Sequence, residues 1–264
     1  LKASNDFDED LFGITIVLND AGTILAVAAA GEDSNARGIN GDETNNAGGN
    51  SGAVYVFERA DAKWTQETYI KASNSGPGDV LGISALDLSG DGLVLAVGTF
   101  GEDSSSTGID GVQDDDSSLD SGAVYVFERI GTGWSQVAYI KASNSEAGDY
   151  FGYSLSLSGD GTKMAVGSVV ESSSSTGFDG EEGNNAAPGA GAAYLFDASG
   201  GTWTQTSYVK ASNTNSEDGF GIVSLSGDGT ILAIGAVTES SSASGVDGDQ
   251  ADNSAYQSGA VYIY

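Results

Sequence analysis

Four long polar loops concentrate the side chains that could do chemistry. The second reads Gly101-Glu102-Asp103-Ser104-Ser105-Ser106-Thr107-Gly108-Ile109-Asp110-Gly111-Val112-Gln113-Asp114-Asp115-Asp116, and the fourth runs from Glu239 to Asn253. They share an order: Glu, a Ser-rich run, Gly, one apolar residue, Asp-Gly, then further acids and amides. The first loop contributes Glu32, Asn40, Asp42 and Asn46; the third contributes Glu171, Asp179, Glu181 and Asn185. Carboxylates and amides spaced around a glycine turn are the oxygen ligands that calcium gathers, roughly six to eight at a time. Asp110, Asp179 and Asp247 are the candidate metal ligands, with Asp114 and Asp249 beside them, and calcium is the cofactor they imply. The same residues also describe a solvated acidic loop. In that reading the Asp-Gly is a turn, and the single apolar residue (Ile39, Ile109, Phe178 or Val246) anchors the loop.

Other chemistries find less support. The chain has no histidine and no cysteine. It therefore lacks the commonest general base and the commonest transition-metal ligand, and it has no disulfide framework. Serine is plentiful, and Lys-Ala-Ser-Asn recurs at Lys2, Lys71, Lys141 and Lys210. Identical recurrence points to a structural role for these lysines, such as pairing with the acidic loop of a neighbouring unit. A carboxylate pair for glycoside hydrolysis cannot be singled out among so many acids. Trp64, Trp134 and Trp203 could stack on sugars, but their equivalent placement in each unit favours packing. No Asn-x-Ser/Thr sequon occurs. We read the chain as not an enzyme.

The elements that must carry these loops repeat. Phe12-Gly13, Leu81-Gly82, Phe151-Gly152 and Phe220-Gly221 stand 69, 70 and 69 residues apart. After Phe151-Gly152, Tyr153, Leu155 and Leu157 alternate with serines, the period of a strand. Gly159-Asp160-Gly161 then supplies a hairpin turn, and Met164-Ala165-Val166 a second strand. Beyond each loop comes a third strand, Ala53-Val54-Tyr55-Val56-Phe57 in the first repeat, apolar on both faces. Such a strand must be covered on both sides. A fourth strand starts at each tryptophan and leads into the next Lys-Ala-Ser-Asn. Four short antiparallel strands per unit, covered by copies of themselves, make an all-β propeller of four-stranded blades. It forms one domain over 1–264, with repeats at 1–70, 71–140, 141–209 and 210–264, the last without its outer strand.

Phe-Gly, a strand, Gly-Asp-Gly, Leu-Ala-Val-Gly and Ser-Gly-Ala-Val-Tyr-Val-Phe together resemble the FG-GAP repeat. That repeat builds the propeller of integrin α subunits and of many bacterial and marine surface proteins. The resemblance runs through all four repeats and implies an extracellular or cell-surface propeller serving adhesion, recognition or scaffolding. The family's calcium loop, Asp-x-Asp-x-Asp-Gly, is not intact: Asp91, Asp160 and Asp228 are each the only carboxylate of their Gly-Asp-Gly turns. These turns read as hairpins. Seven blades are usual in the family, whereas four repeats are present here.

Thirty-eight acidic residues face nine basic ones in 264, a formal net charge of -29. Nucleic acid and anionic membrane repel such a surface, and no apolar run approaches the ~20 residues of a membrane span. No targeting segment is legible, and the chain opens in mid-repeat. The expected function is a non-catalytic adhesion, recognition or assembly-forming module, calcium-stabilised, with a carbohydrate-binding module as the alternative and an acidic-pair hydrolase behind it. Expected partners are other copies of the chain or flanking repeats at open blade edges, and protein or glycan surfaces. Because salt screens self-repulsion, the midpoint of thermal unfolding should rise between low and moderate sodium chloride. A flat or falling midpoint would mean that the acids are too dispersed to repel or are already neutralised.

Overall fold

The computed structural model describes residues 1–5 and 7–264. Among them the secondary structure is all β, in four antiparallel sheets arranged as a four-bladed β-propeller. Blade 1 has β1 (Ile16–Leu18), β2 (Ile24–Ala29), β3 (Ala53–Ala60) and β4 (Lys63–Ile70), in that spatial order. Blade 2 repeats it with β5 (Leu86–Leu88), β6 (Val94–Thr99), β7 (Ala123–Ile130) and β8 (Gly133–Ile140). Blade 3 has β9 (Phe151–Leu157), β10 (Lys163–Ser168), β12 (Ala192–Asp197) and β13 (Thr204–Lys210). A fifth strand, β11 (Gly177–Phe178), comes from its long loop and adds to the outer edge of β13. Blade 4 is three-stranded: β14 (Phe220–Leu225), β15 (Leu232–Ala236) and β16 (Ala260–Ile263).

The inner hairpin of each blade closes through its turn chemistry. Only the second glycine of Gly-Asp-Gly takes a positive φ, +76° at Gly92 and +69° at Gly161. The serine before the turn does the rest: the Ser158 hydroxyl donates to Asp160 at 2.7 Å and accepts from the Lys163 amide at 3.0 Å. In blade 1, where the turn is Asn19-Asp20-Ala21-Gly22, the Asn19 amide oxygen accepts from the Thr23 and Ile24 amides instead. The inner strands expected from each Phe/Leu-Gly are realised in full in blades 3 and 4; β1 and β5 are only three residues long.

Packing follows the two-faced third strand. Val54 and Val56 of blade 1 join Ala26, Ala28 and Ile70 against Leu81, Leu95, Tyr125 and Phe127 of blade 2. Val124, Val126 and Ile140 of blade 2 meet Phe151, Met164, Tyr194 and Phe196 of blade 3 in the same way. Ala165, Ala193 and Val209 then meet Phe220, Leu232 and Tyr262 of blade 4. Each blade thus turns an aliphatic face forward and an aromatic face backward. The small Ala26, Ala96 and Ala165 are fully buried where blades converge. Gly167 shows how close the approach is: a Cβ there would sit 1.7 Å from the Gly221 carbonyl oxygen.

The blades are also joined edge to edge. The turn amides form a relay, Asp20 to the Gly90 carbonyl at 3.0 Å, Gly90 to Gly159 at 2.8 Å and Gly159 to Gly227 at 2.7 Å. Asp87 accepts from the Leu157 amide of the next blade at 2.7 Å, and the Ser156 hydroxyl accepts from Leu225 at 3.1 Å. These side chains satisfy inner-edge amides that would otherwise lack a partner. Phe127 is fully buried at the blade 1–blade 2 seam. Phe127→Ala should therefore cost about 3–5 kcal/mol, read as a drop in denaturant midpoint; a change below about 1 kcal/mol would place Phe127 outside the load-sharing core.

Candidate functional site: the inter-blade clamps and the acidic loops

The first residue of each long loop, Glu32, Glu102, Glu171 or Glu239, is buried. In the first three it meets the lysine that opens the next repeat: Lys71–Glu32, Lys141–Glu102 and Lys210–Glu171 are each 2.7 Å apart, with both side chains essentially inaccessible. The ammonium also donates to Ser51 at 2.6 Å and to Ser121 at 2.7 Å in blades 1 and 2. The other carboxylate oxygen accepts from a tyrosine of the outer strand, Tyr69 at 2.8 Å or Tyr139 at 2.7 Å. It accepts as well from an asparagine three residues after the preceding lysine: Asn5 on Glu32 at 3.0 Å, Asn74 on Glu102 at 2.9 Å, Asn144 on Glu171 at 3.0 Å.

Lys-Ala-Ser-Asn is therefore a two-ended clamp. Lys71 reaches back to Glu32 of blade 1, while Asn74, three residues on, reaches into blade 2. The asparagine is itself held by the central tyrosine of strand three: Tyr125 donates to Asn74 at 2.5 Å, and Tyr55 donates to Asn5. Burial lowers the pKa of Lys71, Lys141 and Lys210, and the facing glutamate opposes that shift. Burial pushes the hydroxyl of Tyr125 far above its ordinary value. The lysine–acidic-loop pairing anticipated from recurrence is thus present at three junctions. The loop pattern contains these glutamates only as loop acids; the signal of their pairing is that Glu32, Glu102 and Glu171 each stand 39 residues before Lys71, Lys141 and Lys210.

A second buried carboxylate precedes each Phe/Leu-Gly pair. Asp10, Asp79, Asp149 and Asp218 accept the amides of Phe7, Gly76, Glu146 and Asn215, at 2.8 to 3.0 Å. Burial raises Asp79 and Asp149 to about 7, with nearby acids adding to the shift.

The candidate calcium ligands lie elsewhere. Asp110 and Asp179 adopt positive φ, and each accepts the amide of an outer-strand tyrosine at 3.0 Å, Tyr139 or Tyr208. Asn40 does the same for Tyr69. The preceding apolar residue bridges to the same strand: Ile39 to Ile70, Ile109 to Ile140, Phe178 to Val209. This is the loop anchor expected of the solvated reading. Asp114 pairs with Arg37 at 2.8 Å on the surface, and Asp249 accepts from the Ala251 amide at 3.0 Å. Asp110, Asp114, Asp179, Asp247 and Asp249 are all exposed. Among the described residues no group of three or more acidic side chains converges as a metal site. In the turns, Asp160 and Asp228 accept from neighbouring serine and threonine, which holds both carboxyls down, Asp228 to about 2. Trp134 and Trp203 are buried between blades and Trp64 is half-buried, so none stands out as a sugar platform.

Residues 134–196, reaching from the outer strand of blade 2 to the third strand of blade 3, match the FG-GAP repeat family. This stretch is an FG-GAP repeat. The match holds one Phe-Gly, Phe151-Gly152, with its turn, acidic loop and third strand; the other three blades have a turn, loop and third strand at equivalent places, with Leu81-Gly82 for Phe-Gly in blade 2. No curated protein matches the chain by sequence. Among solved structures, the chain is similar to a hypothetical selenium-binding protein of Sulfolobus tokodaii, at 11% identity and a TM-score of 0.39, covering 73% of this chain and 39% of that one. It is similar to the tricorn protease at 9% identity and a TM-score of 0.41, covering 84% and 19%. A candidate 6-phosphogluconolactonase of Bacteroides uniformis shows 13% identity and a TM-score of 0.45, covering 89% and 69%. The chain thus spans well under half the length of the first two.

Asp79 gives a pH signature. Its folded pKa of about 7 lies above the ordinary 3.8, so between those values the folded chain keeps a proton that the unfolded chain releases. Stability from this group is complete below about pH 4 and is lost as pH rises through about 7. Asp79→Asn keeps an acceptor for Gly76 and removes the titration. Denaturant melts should show the variant gaining on the native chain from about pH 4 to about pH 8; a pH-independent difference would contradict the assignment.

Proposed function

We propose that the chain is a non-catalytic recognition or structural module acting outside the cell or at its surface. An FG-GAP β-propeller is consistent with a recognition or structural role. The observation that carries the reading is how the carboxylates divide. The buried ones recur at equivalent positions and are tied to lysine, asparagine, tyrosine or backbone amides of the fold. The exposed ones sit on loops whose outer residues differ from blade to blade. A constant scaffold with variable surface loops is the arrangement of a recognition surface. Among the described residues no helix is long and apolar enough to cross a membrane.

The partner surface that such loops suit is basic or cation-bridged, because the net charge of -29 repels an acidic one. Calcium belongs to this proposal only as a cation that screens or bridges the exposed acidic loops, because Asp110, Asp179 and Asp247 belong to no converging group of acids among the described residues. Two measurements test the reading together. Thermal unfolding should shift upward as calcium rises through about 1 mM, and curves that coincide in calcium and in chelator would remove calcium from it. A panel of glycosidase and esterase substrates should show no turnover; turnover abolished by a single carboxylate substitution would overturn the non-catalytic reading.

A further inference from the structure

The middle clamp brings an amine and a carboxamide to one buried carboxylate. Lys141 Nζ donates to Glu102 Oε2 at 2.7 Å, and Asn74 Nδ2 donates to Glu102 Oε1 at 2.9 Å. Lys141 is fully buried, and Glu102 and Asn74 are 1% and 8% accessible. The surrounding bonds fix which way the carboxamide points. Its Oδ1 accepts from the Tyr125 hydroxyl at 2.5 Å, and its Nδ2 also donates to the Gln113 carbonyl at 2.8 Å. The same set recurs on either side. Asn5 and Lys71 share Glu32 in blade 1, with Tyr55 donating to Asn5. Asn144 and Lys210 share Glu171 in blade 3, with Tyr194 donating to Asn144 at 2.7 Å.

Each group has the character that acyl transfer to an amine requires. Burial lowers the pKa of Lys141, and a desolvated lysine amine is a nucleophile. Glu102 touches both nitrogens, so it can take a proton from the incoming one and give a proton to the leaving one. Tyr125 donates to the oxygen on which negative charge develops in the tetrahedral intermediate, the role of an oxyanion-hole donor. Holding both reactants on one carboxylate replaces an encounter with a preassembled pair.

We infer that Lys141 and Asn74 join in a spontaneous isopeptide bond, as do Lys71 with Asn5 and Lys210 with Asn144. Lys141 Nζ bonds to Asn74 Cγ, and the Cγ–Nδ2 bond breaks. Of the three protons on the ammonium, one stays on the new amide nitrogen. The second leaves with Nδ2 as ammonia, and the third stays on the Glu102 carboxyl. No oxidant or other reactant is consumed. A buried ion pair is exchanged for a neutral acid beside an amide, which removes the cost of keeping two charges out of water. The linked positions stand 66, 67 and 66 residues apart. Each bond therefore closes one whole blade, from before its first strand to after its fourth, into a covalent loop. A chain without cysteine thereby gains cross-links that reducing agents do not open. This goes beyond the recognition or structural reading and does not depend on it.

Mass spectrometry of the 264-residue chain, folded and then denatured, tests this. The intact mass should fall below the sequence mass of 26.5 kDa by one ammonia per bond. Proteolytic mapping should yield a branched peptide in which Lys141 is joined to Asn74. Lys141→Arg keeps a cation for Glu102, but the guanidinium stays protonated and cannot attack. That variant should regain one ammonia and lose the branched peptide. A native chain at the full sequence mass would overturn the inference. So would a loss of ammonia that maps elsewhere, such as to a succinimide at Asn40-Gly41, with no branch between Lys141 and Asn74.

Discussion

A buried lysine–glutamate pair, repeated once per junction, is the constraint on which the rest depends. Desolvating two charges is costly, and their attraction offsets that cost only when geometry and additional hydrogen bonds are good. Here they are: the Glu102 carboxylate receives Lys141, Tyr139 and Asn74, and the ammonium also reaches Ser121. An apolar substitute would pack as well but would not fix which blade follows which. In a chain whose blades are so alike, register is the harder problem. The polar clamp specifies it, because Lys and Asn of one tetrapeptide must each find a carboxylate, three residues apart, in two different blades.

The clamp also organises the loops. In blades 1 to 3 the buried glutamate stands at the start of the long acidic loop, so the loop is pinned there by the ion pair. It is pinned again at Ile109 and Asp110 by the outer strand. Between and beyond these pins the side chains are free to vary, and there the acidic surface accumulates. In blade 4, Val246, the counterpart of Ile109, is 91% accessible and Asp247 is exposed.

Much of the fold was legible because a 69–70-residue period copies the same strand pattern. The two-faced third strand required cover on both sides: in blade 2, Tyr125 and Phe127 pack toward blade 1 and Val124 and Val126 toward blade 3, whereas in blade 1 Tyr55 and Phe57 pack with Phe12, Tyr69 and other residues of their own blade. The site was less legible, since a glutamate among thirty-eight acidic residues does not look buried. Only its fixed separation of 39 residues from the lysine marks it out. Of the turn glycines Gly159 and Gly161, only the second takes a positive φ. The shortness of β1 and β5 and the addition of β11 arise from contacts between elements, to which strand periodicity is blind. Asp110 and Asp179 recur for a structural reason invisible in the sequence: each takes a positive φ and accepts the amide of an outer-strand tyrosine.

The central claim is that the clamp acts as one cooperative unit at each junction. A double-mutant cycle on Lys141 and Glu102 tests it most directly. Lys141→Met and Glu102→Gln should each destabilise by roughly 3–5 kcal/mol, because each leaves the partner buried without its counter-charge. The double variant should cost less than the sum by a coupling of about 1–3 kcal/mol. Additive effects, or single changes below about 1 kcal/mol, would show that the blades are held in order by apolar packing alone and would contradict the account.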